Sequence, residues 1–89
     1  MPPVLTLLGK PDCHLCHEMR RVVERVAADA GLALVERDIA EDPELADRYR
    51  LEIPVLLLAG EEVARHRVTE AALRERLRRA GVGGGSPGA

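Results

Sequence analysis

Gly9-Lys10-Pro11-Asp12-Cys13-His14-Leu15-Cys16-His17 holds both cysteines of the 89-residue chain, two residues apart. An apolar run, Val4-Leu5-Thr6-Leu7-Leu8, precedes it, and a segment with helical periodicity follows. The run is short, continuous and bounded by Pro3 and Gly9, as a buried strand is. A strand therefore runs into a turn, and the turn delivers Cys13 to the first turn of a helix. The free amides and aligned peptide dipoles of a helix start favour negative charge. A thiol held there ionises more readily, and the thiolate is the nucleophile. Thiol–disulfide chemistry is the first expectation, and metal binding by the same pair is its rival.

Downstream, the apolar positions Leu15, Met19, Val22, Val23, Val26 and Ala30 recur at helical spacing, with charges filling the other face. This predicts an amphipathic helix over Cys13 to Ala30, closed by Gly31 in the left-handed conformation. Ala33 to Arg37 reads as a second strand, parallel to the first because a helical crossover joins them. Asp42 as cap and Pro43 at the first helical position open a brief helix, Pro43 to Tyr49. Ile53-Pro54-Val55-Leu56-Leu57-Leu58 is the third strand, with proline tolerated at its start. Ala59-Gly60-Glu61-Glu62 is the expected hairpin turn, returning as Val63 to Val68. Thr69 caps a last helix whose Ala72, Leu73, Leu77 and Ala80 are expected to face inward. Residues 1–80 thus read as one α/β domain, β-α-β-α-β-β-α with a four-stranded mixed sheet, and 81–89 as a flexible Gly-rich tail.

The bulk composition excludes several functions. Phe and Trp are absent, Tyr49 is the single aromatic, and the net charge is −2. Neither a base-stacking platform nor a basic footprint exists, so nucleic acid is not an expected partner. No run approaches the roughly 18 apolar residues of a membrane span. Met1-Pro2-Pro3 does not open a secretory signal pattern, so the cytoplasm is the expected location. Two cysteines are too few for a disulfide scaffold. Cys13-x-x-Cys16-His17 also spells a haem-attachment motif, which is set aside because such attachment requires export. A closed zinc site wants four ligands; Cys13, Cys16 and one histidine supply three at most.

The element order, the C-x-x-C after the first strand and the Ile53-Pro54-Val55 opening the third together resemble the thioredoxin superfamily. Within it, the Cys-His-Leu-Cys sequence is similar to that of small bacterial glutaredoxin-like proteins. The resemblance spans roughly Val4 to Ala80 and implies a thioredoxin-like fold. It also implies that Cys13 attacks a substrate disulfide and Cys16 resolves the mixed disulfide. Pro54 matches the family's cis proline, which would leave the backbone of Ile53 free to bond an extended substrate. Lys10 matches a lysine used towards a glutathione carboxylate, whereas the family's acidic cap of the last helix, which faces the glutathione amine, has only Thr69 and Glu70 as approximate counterparts. His14-Leu15 replaces the usual Pro-Tyr, and the Gly-Gly pair after the hairpin is missing, with His66-Arg67-Val68 there instead. The implied partner is a disulfide-containing protein or a small thiol such as glutathione. The implied enzyme is a monomer without bound cofactor, and the electron donor, glutathione or a dithiol reductase, is left open.

Around the dithiol, Lys10 and a protonated His14 lower the Cys13 pKa while Asp12 raises it; dipole plus cation outweigh one solvated carboxylate. His14 either stabilises the thiolate from between the sulfurs or simply faces solvent. His17 and His66 read as surface or structural residues. A second class of function also fits these residues: a metal- or protein-binding module that keeps the fold with little turnover.

Overall fold

The computed structural model describes residues 3–82. Strand β1 (Val4–Gly9) leads into helix α1 (His14–Ala30), then strand β2 (Ala33–Asp38). A single 3₁₀ turn (Ile39–Glu41) precedes helix α2 (Pro43–Tyr49). Strands β3 (Val55–Leu58) and β4 (Glu61–Arg65) and helix α3 (Glu70–Arg79) complete the fold. The sheet has four strands in the order β2-β1-β3-β4. β1 runs parallel to β2, with Val4 opposite Ala33, and antiparallel to β3, with Leu8 opposite Val55. This is the mixed sheet with flanking helices of the sequence expectation.

The alternation of β1 divides the core. Leu5 and Leu7 face the side covered by α1 and α3, packing with Met19, Val23, Val26, Leu56, Leu73 and Leu77. Leu8 faces the other side, with Ile39, Val55 and the half-buried Leu45 and Tyr49. Each fully buried leucine contributes about 2 kcal/mol, and with no Phe or Trp the core is built from many such small increments. Arg74 ties α3 to α1, lying 2.6 Å from Asp29 and 2.8 Å from Glu70. All three are solvent-exposed enough that these ties register the helices more than they stabilise them.

Local signals set the helix ends. Asp42 accepts from Glu44 N at 3.0 Å and Leu45 N at 3.4 Å, and Pro43 occupies the first helical position. Gly31 has φ +69°, and Leu32 N donates to Ala27 O at 2.9 Å, a reversal that any Cβ would oppose. Gly81 repeats this device at the end of α3, with φ +82° and Val82 N donating to Leu77 O at 2.8 Å. Val82 thereby packs on the core. Gly81 and Val82 therefore belong to the helix termination and not to the expected tail; its remaining residues, 83–89, lie outside the described part.

Four further expectations are corrected. Helix α1 starts at His14, with Cys13 as its cap. The third strand begins at Val55 rather than Ile53. The hairpin turn is only Ala59-Gly60, so β4 starts at Glu61 and ends at Arg65. Both turn residues have positive φ (+50° and +88°), the geometry whose twist suits a two-residue hairpin. Glu61 and Glu62 are poor strand formers by propensity, but on an edge strand their charges face water and discourage further pairing. Finally, Ala72 and Ala80 are exposed, and only Leu73 and Leu77 of α3 face inward. A three-turn helix lying over a sheet buries a narrow stripe, too narrow for four positions.

Candidate active site

The loop between β1 and α1 is short and fixed at both ends. Cys13 N donates to Lys10 O at 3.2 Å, closing the turn through Pro11 and Asp12. The His17 ring lies against the same loop, its Nε2 2.7 Å from Pro11 O. Cys13 then has extended backbone (φ −97°, ψ 110°) and serves as the cap of α1. A cap residue normally offers a side-chain oxygen to an unpaired amide of the first turn. Here the acceptor is sulfur: Cys16 N donates to Cys13 Sγ at 3.1 Å.

Cys13 and Cys16 are joined as a disulfide with Cα atoms 5.2 Å apart, an unremarkable separation for such a bond. Their environments differ. Cys16 sits one turn inside α1 and is 7% exposed, packed on the sheet side; Cys13 is half-buried at the helix mouth.

The second element of the site is Pro54, preceded by a cis peptide bond and fully buried. The pairing of Leu8 with Val55 places Pro54 across from Gly9, at the same end of the sheet as the cysteine loop. Pro54 O accepts from His66 N at 2.7 Å. His66 itself has φ +65°, in a tight turn closed by Arg67 N donating to Arg65 O at 2.7 Å. Its ring lies 3.6 Å from Glu52 Oε1, and Arg65 Nη1 is 2.6 Å from the same oxygen. Arg65 also hydrogen-bonds Glu62, holding that carboxyl below its ordinary value of 4.5. His66 has the structural role expected of it: its backbone amide fastens the end of the hairpin to Pro54. Nothing in the sequence signals this, because the donor is a backbone amide that any residue other than proline would supply.

The other expected site residues fall as follows. Ile53 N is not free: it donates to Tyr49 O at 3.1 Å, closing the end of α2, which leaves only its carbonyl for an extended partner. Thr69 Oγ1 accepts from Ala72 N at 3.1 Å, so the hydroxyl caps α3 while keeping its own proton to donate. His14 does not lie between the sulfurs. It is 87% exposed, and its Nε2 is 2.9 Å from Glu18 Oε2, one helical turn away. Asp12 is exposed, and Lys10 is exposed on the side of the loop nearer β2.

Two clefts of about 440 Å³ lie along the first turns of α1. One lies between α1 and the segment leading to α3, with an apolar floor of Leu15, Met19, Val22 and Val68 rimmed by Arg67 and Thr69. The other, at the carboxyl ends of β1 and β2, is lined by Gly9, Lys10, Cys16, Arg20 and Arg37 among others. Among the described residues, no group of three or more His, Cys, Asp or Glu is assembled to hold a metal ion. Nor is any described helix long and apolar enough to cross a membrane.

A strand–loop–helix carrying C-x-x-C, set beside a cis proline on a mixed four-stranded sheet, defines the thioredoxin fold class. The glutaredoxin-like domain (DUF836) family matches residues 4–78, and the chain belongs to that family. Among solved structures, a protein from X. campestris is 30% identical, covering 85% of this chain and 97% of its own, with a TM-score of 0.72. A mutant thioredoxin from Halobacterium salinarum is 28% identical over 86% of this chain and 73% of its own, with a TM-score of 0.63. A protein from Nitrosomonas europaea shares the fold (TM-score 0.70) at 23% identity, covering 82% of this chain and 88% of its own. A glutaredoxin-like domain of thioredoxin fold presenting Cys13 and Cys16 supports a redox role.

Proposed function

We propose that the chain is a glutaredoxin-like thiol–disulfide oxidoreductase in which Cys13 is the nucleophile and Cys16 the resolving thiol. The observation that carries this reading is the asymmetry of the pair. Cys13 is the more exposed residue of the two, and the Cys16 amide donates a hydrogen bond to its sulfur. In the reduced protein the same amide, at a helix start, stabilises a Cys13 thiolate.

The reaction balances as two exchanges. The Cys13 thiolate attacks one sulfur of a substrate disulfide; the other substrate sulfur leaves as a thiolate and takes up a proton. Cys16, deprotonated, then attacks Cys13 Sγ, expels the second substrate thiolate and closes the Cys13–Cys16 disulfide. Two electrons pass from the dithiol to the substrate, and two further thiols restore the enzyme. The substrate is a disulfide-bearing protein or a mixed disulfide with a small thiol such as glutathione. The Ile53 carbonyl and the Thr69 hydroxyl are the groups left to bond it, and a reducing cytoplasm is the compartment in which such a cycle turns over.

Replacing Cys16 by Ser stops the cycle after its first half. Exposure of that variant to oxidised glutathione or cell extract is expected to leave an adduct on Cys13, visible by mass spectrometry and released by dithiothreitol. A Cys13 that forms no adduct overturns the proposal. Stoichiometric zinc held by the reduced protein against a mild chelator favours a metal-binding module instead.

A further inference from the structure

We propose that Gly9 is a positioning residue for the resolving thiol: its missing side chain is the space in which the Cys16 sulfur sits. A Cβ built at Gly9 would lie 2.7 Å from Cys16 Sγ and 3.0 Å from Cys16 Cβ. Ordinary contacts between such atoms are roughly 3.5–4.0 Å, so the overlap is close to an ångström. The direction follows from the strand. Leu5 and Leu7 are buried against α1, and alternation aims position 9 at the same side, where the first turn of α1 begins.

Gly9 has no other reason to be glycine. Among the described residues, the glycines with positive φ are Gly31, Gly60 and Gly81; Gly9 lies in regular strand, paired with Asp38. Glycine weakens a strand interior, so a residue with a side chain would be favoured there but for the sulfur. Cys16 has little freedom to yield. It is 7% exposed, and the core residues Met19 and Val23 follow it on the same helix.

This inference rests on the oxidoreductase reading and adds to it a residue that governs only the second exchange. A methyl group at position 9 displaces the Cys16 sulfur from its line of attack on Cys13. It leaves Cys13 as the cap of α1, with its hydrogen bond to the Cys16 amide. A displacement near an ångström is worth about tenfold to a hundredfold in such a step.

Two measurements on the reduced protein test it. In the redox assay, Gly9→Ala is expected to alkylate at Cys13 as fast as wild type. In the presence of oxidised glutathione it should accumulate the Cys13 mixed disulfide, about tenfold or more over wild type. No accumulation, or an alkylation rate that falls in step with it, overturns the proposal. In the stability assay, Gly9→Ala is expected to lower the melting temperature of wild type and to lower it less in a Cys16→Ala background, where the sulfur is gone and only the 3.0 Å contact with the Cβ remains. An equal loss in both backgrounds, or a double variant that does not fold, overturns it too. The stability result involves no turnover, so it distinguishes a misplaced Gly9 from a mistaken oxidoreductase reading. The latter shows as a Cys16→Ser variant that traps nothing.

Discussion

The amide of Cys16 donates a 3.1 Å hydrogen bond to the sulfur of Cys13, so the residue proposed to resolve the mixed disulfide also holds the proposed nucleophile through its backbone. The two roles are separable by mutation. Replacing the Cys16 side chain leaves the donor in place, and only proline removes it.

Cys16→Ala is therefore expected to alkylate at Cys13 with a pH midpoint below that of an ordinary thiol, ~8.5. Cys16→Pro, tolerated within the first turn of a helix, loses the charge-assisted hydrogen bond. Its midpoint should lie higher than that of Cys16→Ala by about one unit. Iodoacetamide rates as a function of pH provide the comparison, and coincident midpoints would show that the amide has no influence.

Ala59 carries φ +50° beside Gly60 at +88°. A left-handed alanine costs about 1 kcal/mol, whereas asparagine tolerates that conformation and Asn-Gly is a preferred hairpin pair. Ala59→Asn is expected to stabilise the protein by roughly 0.5–1 kcal/mol in urea denaturation. An unchanged midpoint would argue against the positive-φ turn.

Helix α3 offers a contrast between neighbours. Leu73 is wholly buried, and Leu73→Ala should cost about 2–5 kcal/mol, a large part of the stability of a domain this small. Ala72 is exposed, with its amide on the Thr69 hydroxyl. Ala72→Glu supplies the acidic partner of a capping box and should leave stability unchanged or raise it by a few tenths of about 1 kcal/mol. Thermal melts of the two variants check the assignment of the inward face, and a destabilised Ala72→Glu contradicts it.

Glu62, Glu70 and Glu75 all have pKa values held below their ordinary 4.5, chiefly by hydrogen bonds from Arg65, Arg74 and Arg78. A carboxyl depressed on folding stabilises the native state fully above its unfolded pKa, and that contribution is lost as pH falls through the lower, folded value. The melting temperature is thus expected to decline below about pH 4.5, more steeply in low salt than in high. Because the groups are solvent-exposed, the decline is shallow. Arg74→Met should flatten it in part, since Glu70 loses its main hydrogen-bond donor and keeps only Arg25. A slope identical to wild type would remove Glu70 from the acid response.

Much of the architecture is written in short-range pattern. The three- and four-residue spacing from Leu15 to Ala30, the Gly31 reversal, the Asp42-Pro43 start and the Thr69 cap all concern residues within a turn or two of one another. Each was readable because the same few side chains both form and end the element. The cysteine loop was readable for the same reason, since Cys13 and Cys16 meet across a single helical turn. Ile39 is different. It is completely buried beneath α2, yet nothing in Asp38-Ile39-Ala40-Glu41 announces a core position.

By itself, the sequence determined the elements, their caps and the placing of a dithiol at a helix start, because those depend on contacts between near neighbours. Only the tertiary structure decided that Ile53 gives its amide to Tyr49, that His66 bonds Pro54 and that the His14 ring faces Glu18 rather than the sulfurs. It alone decided, too, that Gly9 lies against the Cys16 sulfur. Most of these are meetings of separate segments, and even the local His14–Glu18 contact needs the helix packed to settle which way the ring turns. Strand order, register and burial choose among such partners, and no pattern of spacing along the chain encodes that choice.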